Sequence, residues 1–381
     1  MRIILNEIKK IFNLKSLIIG LIISIIMFGV FSAYFIKNFP DGQPAGCDLE
    51  MMKELRMKYG TTLNTEEEKE LGSTYLKEKE NEADQYIQNH KEAQRLGVTS
   101  YKGIRKHLAE LKEKNENDEI EQLYFKMSFE EDSQELWNMQ GINYVNEVLT
   151  FNSRYNTDYK EKKKIDRFNE IANREVSLIT EIVIDNFDSY IEGVGAIVIF
   201  LIMFFLGTVF IKDRKEKVDY IQYTSKIGRE ITKKKIVAAM ISALLITTTT
   251  IAISMIVYFV KCGTTEFFNV DINSVFNKEY IIDITYLQFI ILKIIIIYVI
   301  GIITAIVTLI ISKTGKSYLA ILSIGIMSFA FINIITKDII LNNILELSRN
   351  QGIVFGSIGI LILIGIVGCI KLKKKEIDIL Y

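Results

Sequence analysis

Six apolar runs punctuate the chain, at residues 16–36, 193–211, 236–260, 286–311, 317–336 and 352–370. Each is close to the roughly 20 residues that a helix needs to cross the hydrocarbon core of a bilayer. None shows the polar face that a half-buried soluble helix would keep. The pattern predicts an all-α, polytopic membrane protein with six transmembrane helices and a large helical extracellular insert between spans 1 and 2. The first run follows Arg2, Lys9, Lys10 and Lys15, as a signal peptide would. Its apolar stretch exceeds the roughly 7–15 residues of a typical signal core, which favours a retained span.

The polar stretches carry their own periodicity. In residues 1–15, Ile3, Ile4, Ile8, Ile11 and Phe12 recur at helical spacing with cations on the other side. That suits a cytoplasmic amphipathic helix lying in the membrane interface, or equally a basic flank that only sets topology. The stretch KNFPDGQPAG holds both prolines, Pro40 and Pro44, and reads as an extended linker. Thr65 with Glu68 has the spacing of a capping box at the start of a charged helix. Gly97 can end it and Ser100 can cap the next. Tyr101, Ile104, Leu108 and Leu111 step by three or four, as do Ile120, Leu123, Tyr124 and Met127. An irregular course over 60–120 is the competing reading.

From Ile165 through Phe168, Ala172, Val176, Ile179, Val183 and Phe187 to Tyr190 the same step continues without a breaker. The spacing predicts one helix running from the insert into span 2. The alternative is a bundle helix that ends at the membrane surface, with Gly193 and Gly195 as a joint.

Charge adds orientation. The chain is neutral overall, yet residues 37–192 hold 22 Lys and Arg against 33 Asp and Glu, and the remainder holds 24 against 13. Cations gather before span 1, between spans 2 and 3 (212–235), between spans 4 and 5, and in the tail 371–381. The opposite connections, the 261–285 loop among them, hold only Lys261, Lys278, Lys337 and Arg349. Cationic loops stay on the cytoplasmic side, so both termini are expected inside the plasma membrane, and six spans agree with that parity.

Catalytic signals are sparse. Cys47, Cys262 and Cys369 form no Cys-x-x-Cys pair. Cys47 and Cys262 would share the outer side, where a disulfide and free thiols both stay open. His90 and His107 sit in charged helices and read as solvated positions. SKTGKSY, residues 312–318, ends like a phosphate loop, but Ile310 stands where that loop needs its first glycine. Gly315 with its lysines reads as a tight turn. No Asp or Glu falls inside the six apolar runs, and Lys293 is expected to snorkel outward. A transporter without such groups would draw its energy from another subunit. Gly352 and Gly356 have the spacing of a close helix contact. No catalytic residue, metal, cofactor or nucleic-acid partner is expected.

The segment KDRKEKVDYIQYTSKIGREITKKK, residues 212–235, carries a resemblance. Together with six spans, an amphipathic N-terminus and an insert after span 1, it resembles the membrane subunit of ATP-binding-cassette exporters of the type-2 permease class. Members place an acidic residue after span 2, then a short helix, a small-residue turn with Gly-Arg or Ser-Arg, and a lysine opening span 3. Glu216, the Thr224–Ser225 pair, Gly228–Arg229 and Lys235 match in kind and order. Val218 and Asp219 stand where many members have glycine, and no proline precedes the arginine. The resemblance implies a separate ATPase subunit docking on this loop, a second permease copy or a homologous chain, and export of a peptide-like, drug-like or amphiphilic substrate. Lys226 and Arg229 would pair with carboxylates of the ATPase, Arg229 through its bidentate fork. The rival reading is a non-transporting membrane signalling or scaffold protein that relays from the insert.

Overall fold

The computed structural model describes residues 2–111, 118–150, 159–217 and 228–373, most of them helical. The chain divides into two compact units. One comprises Met1–Phe39, Asp185–Glu266 and Leu287–Tyr381, the other Pro40–Ile184 and Phe267–Tyr286.

Six helices among the described residues are long and apolar enough to cross a bilayer: Leu14–Phe31, Glu181–Lys215, Glu230–Cys262, Tyr286–Thr314, Tyr318–Leu341 and Gln351–Leu372, here spans 1 to 6. They define a multi-pass membrane protein. Spans 2 and 4 form the centre of the first unit. Ile199, Ile300 and Ile332 join spans 2, 4 and 5, while Ile303, Ile340 and Leu361 join spans 4, 5 and 6. Span 1 buries only 6% of its window against 67% for span 2, so its apolar side chains face outward, as lipid contact requires.

Close approach is set by small residues. A Cβ on Gly193 of span 2 would lie 2.6 Å from the Phe31 carbonyl oxygen at the end of span 1. One on Gly368 of span 6 would lie 2.5 Å from Ile306 of span 4. Among the described residues Gly356 meets nothing within 4 Å and Gly352 meets only Asn350, so none of them makes the close helix contact that the Gly352–Gly356 spacing offered. The sequence pattern had no way to rank these glycines, because each lies in an equally apolar run.

The amphipathic segment at the N-terminus is the helix Arg2–Ile11, which packs along Gly228–Cys262. Asn13 separates it from span 1 and caps that span by accepting from the Ser16 amide at 3.0 Å. Span 5 leaves regular α-helix at Ile334 and continues as a π-helix over Ile335–Leu341. Gly315 lies in the connection between spans 4 and 5, and Ser317 caps span 5 by accepting from Ala320.

In the second unit Gln134–Thr150 packs against Ala45–Tyr59 and Leu76–Asn89. Met51, Met52, Leu55, Ala83, Ile87, Trp137 and Ile142 fill this core. A two-stranded antiparallel ladder pairs Thr62 with Ser177 and Leu63 with Val176. The loop Phe267–Tyr286 belongs to the same unit rather than standing apart: Ser274 Oγ donates to the Ser177 carbonyl at 2.5 Å, and the Glu181 amide donates to the Phe276 carbonyl at 2.9 Å.

Several sequence expectations shift. Residues 60–111 are ordered into helices rather than irregular. The capping box uses Asn64 and Glu67 instead of Thr65 and Glu68, because the Asn64 carboxamide accepts from the Glu66 and Glu67 amides. The helical run opened at Asn64 ends at Asn89, before His90, so Gly97 at φ 69 instead follows a separate short helix, Lys91–Arg95; Ser100 does cap the next. Residues 40–44 form turns, with Asp41 and Gly42 both at φ 76, rather than an extended linker. His90 is an N-cap whose ring lies 3.1 Å from Glu131, and His107 pairs with Asp118 at 2.9 Å, so neither is simply solvated.

The single helix expected from Ile165 into span 2 is broken. Lys162–Ala172 ends at Asn173, the strand Val176–Ser177 intervenes, and a new helix starts at Glu181 and passes Gly193 and Gly195 without a joint. Val176, buried in the ladder and facing the core, mimics a helical position. Cys47, Cys262 and Cys369 are free thiols.

Candidate functional site

Two clusters of charged side chains are built into the membrane unit, at opposite ends of its spans. The first lies at the end where Lys and Arg gather. The Phe210 amide donates to Ser312 Oγ at 3.0 Å, and Arg214 Nη2 donates to the Ser312 carbonyl at 2.6 Å. These bonds fix the final turn of span 2 on the final turn of span 4. Asp213 in that turn is buried and pairs with Lys235, itself 4% exposed, in the first turns of span 3. The Lys235 ammonium also lies 5.8 Å from the Phe210 ring centroid. The N-terminal helix adds Lys10, 3.9 Å from Asp213 and 2.8 Å from Glu7. Partial burial works to lower the Lys10 pKa, but the hydrogen bond to Glu7 and the charges of Glu7, Asp213 and Glu216 prevail and raise it. A buried pair such as Asp213–Lys235 persists only when both charges find partners.

This cluster sits at the base of the segment singled out in the sequence. Glu216 is exposed and closes the short helix Ile211–Lys215, its amide bonding to the Lys212 carbonyl. Gly228 and Arg229 lie in the first turn of a helix that runs to Cys262, so residues 228–235 are already part of the span 3 helix. Thr224, Ser225 and Lys226 lie outside the described residues, as does the docking helix expected around them. Lys235 is turned inward against Asp213, whereas its neighbour Lys234 pairs at 3.2 Å with exposed Glu230.

The second cluster lies at the opposite end, and sequence reasoning missed it. Span 2 begins at Glu181, so Asp188 and Glu192 are on a membrane-spanning helix after all. They stand four residues apart and share one face. Lys293 of span 4 does not snorkel outward. Its side chain is 1% exposed, its ammonium lies 2.9 Å from Asp188 Oδ1, and it donates to the Leu341 carbonyl at the end of span 5. The Phe289 ring covers it, with the centroid 4.6 Å away. Glu192, 7% exposed, lies 3.6 Å from Lys337, while its Oε1 makes no hydrogen bond among the described residues. From Lys293 to Lys313 span 4 rises roughly 30 Å, the thickness of a bilayer core. The cluster therefore sits at the rim of the hydrocarbon.

The π-helix of span 5 explains how these groups meet. A π-helical segment shifts the backbone register and recurs at functional sites. Here it spans Ile335–Leu341, presents Lys337 to Glu192, and ends at the carbonyl that Lys293 takes. A signal was present in the sequence: Asp185, Asp188 and Glu192 recur at helical steps among Val183, Phe187 and Tyr190. Defining span 2 by its uncharged run hid it.

No protein-family model, curated protein or solved structure matches this chain.

Proposed function

We propose that this chain is the membrane-spanning subunit of an ATP-binding-cassette exporter, powered by a separate ATPase that docks on the segment between spans 2 and 3. The buried Asp213–Lys235 pair carries the reading. It ties the two ends of that segment together, and Ser312 extends the tie to span 4. Force applied to residues 216–227 would reach three spans at once. Charged groups buried in membrane helices are expensive and mark functional pathways more often than passive anchors. The Asp188–Lys293 and Glu192–Lys337 pairs supply such groups, which favours transport over a scaffold, so the separate ATPase rests on the resemblance of residues 212–235 and not on spans empty of charge.

In this reading the cation-rich end faces the cytoplasm, both termini lie inside the plasma membrane, and the unit containing Pro40–Ile184 lies outside. Two six-span subunits, identical or related, enclose the pathway. Glu216 and Arg229 are the contacts to the ATPase, with Arg229 bonding a carboxylate bidentately. The cargo is a peptide-like, drug-like or amphiphilic molecule.

The test is co-purification with a candidate ATP-binding-cassette ATPase, for wild type, Glu216→Lys and Arg229→Glu. Assembly and stimulated ATP hydrolysis are expected for wild type and at least a tenfold loss for the variants. Full assembly in both variants, or residue 225 labelled by an impermeant thiol reagent from outside in a Ser225→Cys chain, overturns it.

A further inference from the structure

The second unit exposes two aromatic rings that its own fold does not cover. Phe125 and Phe129, 55% and 53% exposed, stack with centroids 5.0 Å apart. Phe129 in turn stands edge-on to buried Trp137, again at 5.0 Å. Phe125 precedes and Phe129 lies within a π-helical segment, Lys126–Glu130, and the Trp137 indole N–H donates to the Ser128 carbonyl at 2.9 Å. That bond fixes the segment on Gln134–Thr150, so the exposed rings are held rigidly. Stacked aromatics left in water on a soluble surface mark an interaction site more often than chance packing.

A shallow, open cleft of about 430 Å³ lies between the helices Leu76–Asn89 and Gln134–Thr150, and the three rings are not part of its lining. It lies within the size range of ligand pockets. Glu82, Gln85, Tyr86, Asn89, Gln134, Glu135 and Asn138 line it, with no cation among them. Trp137 connects the two features, because Gln134 and Asn138 lie on its own helix three residues before and one after it. Glu131 connects them again: it follows Phe129 by two residues and accepts from Tyr86 Oη at 2.9 Å.

Charge selects the occupant. The unit holds 22 Lys and Arg against 33 Asp and Glu. At the cleft, Glu82 is answered by Lys79 at 3.3 Å, whereas Glu135 accepts from Ser133 Oγ at 3.1 Å and forms no ion pair among the described residues. Glu130 and Asp132, one and three residues after Phe129, form no ion pair among the described residues, although the Glu130 charge acts on Lys126. An anion entering the cleft would meet two carboxylates. An ammonium or guanidinium would find those carboxylates and the side-chain carbonyls of four amides, enough acceptors for its three to five donors. The rings beside it would take an apolar side chain and could add cation–π attraction.

We infer that this surface binds a cationic amphipathic peptide, with a Lys or Arg side chain in the Glu82–Glu135 cleft and a neighbouring apolar side chain on Phe125 and Phe129. The inference does not depend on the transport reading, since a scaffold could present the same surface.

Trp137 is the only tryptophan in the chain and reports on the site directly. The full chain in uncharged detergent micelles is titrated with a tryptophan-free Lys/Leu amphipathic peptide, a Glu/Leu counterpart and spermidine, while Trp137 emission is followed. A saturable shift with the Lys/Leu peptide alone is expected. It should weaken at least tenfold in Glu135→Lys and in Phe125→Ser, both altered at solvent-accessible side chains, and weaken with added salt. No shift, an equal shift with the Glu/Leu peptide, or undiminished binding in both variants overturns the proposal. Equal binding of spermidine overturns its amphipathic part, leaving a small polycation as the occupant.

Discussion

The ammonium of Lys293 lies 2.9 Å from Asp188 Oδ1 and also bonds the Leu341 carbonyl, so one buried side chain of span 4 holds span 2 and the end of span 5. Removing either charge leaves the other stranded in a medium that solvates it poorly. Lys293→Met should destabilise the chain by about 3–5 kcal/mol. Asp188→Asn in the same chain should recover more than half of that loss, because it removes the stranded carboxylate. Thermal unfolding in micelles of the two single variants and the double variant measures the coupling. Additive losses would mean that the pair contributes nothing as a pair.

The run Lys233–Lys235 offers a controlled comparison between adjacent lysines. Lys235 is buried on Asp213, while Lys234 pairs with a Glu230 whose side chain is 67% exposed. A surface pair contributes about 0–1 kcal/mol, whereas breaking a buried one costs several. Lys235→Ala should therefore speed hydrogen exchange of the amides over 230–240 by at least tenfold, and Lys234→Ala should leave it nearly unchanged. Equal effects would show that the lysines act only through total charge.

Span existence was legible in the sequence because apolar runs of bilayer length leave few alternatives, and the helix cap at Ser100 was legible because it is local. The break at Asn173 was not, since Val176 in a ladder and Val176 on a helix face both bury an apolar side chain. Pairing with Leu63 is a long-range fact. The candidate sites divide the same way. Glu216, Gly228 and Arg229 were proposed from local pattern alone. Asp213 and Lys235 become partners only when spans 2 and 3 pack. Asp188 and Glu192 were hidden because hydropathy marks where charge stops, while a helix can carry charge into the bundle if another helix brings the counter-ion.

Asp283 offers a test in acid. Arg174 Nη1 lies 2.6 Å from its Oδ1, Arg167 Nη2 lies 2.5 Å from the same oxygen, and Asn273 Nδ2 donates to it at 2.9 Å. The hydrogen bond from Arg174 holds the Asp283 carboxyl below its ordinary value; burial opposes this, and Arg167 reinforces it. A carboxyl depressed in the folded state contributes stability above its unfolded value of about 4 and loses it as pH falls further. The side chain is 39% exposed, so solvent reduces the contribution to about 1–2 kcal/mol. Asp283→Asn should raise hydrogen exchange over 165–175 and 270–285 by roughly tenfold at pH 7, with the difference shrinking below pH 4. A difference that persists unchanged at pH 3 would assign the effect to packing.

Asp48 should respond with the opposite sign. It lies in the first turn of the helix Ala45–Tyr59, and burial pushes its carboxyl from 3.8 up to about 6, partly offset by a hydrogen bond from Cys47. Burial, with help from the Asp48 charge, pushes the Cys47 thiol up to about 12, so it stays neutral and donates to the Pro44 carbonyl at 2.9 Å. A carboxyl raised in the folded state favours folding while protonated. Its ionisation therefore costs stability as pH rises from about 4 through about 6. Asp48→Asn keeps the shape and removes the charge. It should stabilise the chain at pH 7.5 by about 1–2 kcal/mol, with the gain fading to nothing near pH 4. Unfolding midpoints in micelles at pH 4, 6 and 7.5 decide the matter: a gain that is the same at all three would exclude ionisation of Asp48 as its cause, and a loss at pH 7.5 would mean that the carboxylate has a favourable role at the helix N-terminus that outweighs its burial.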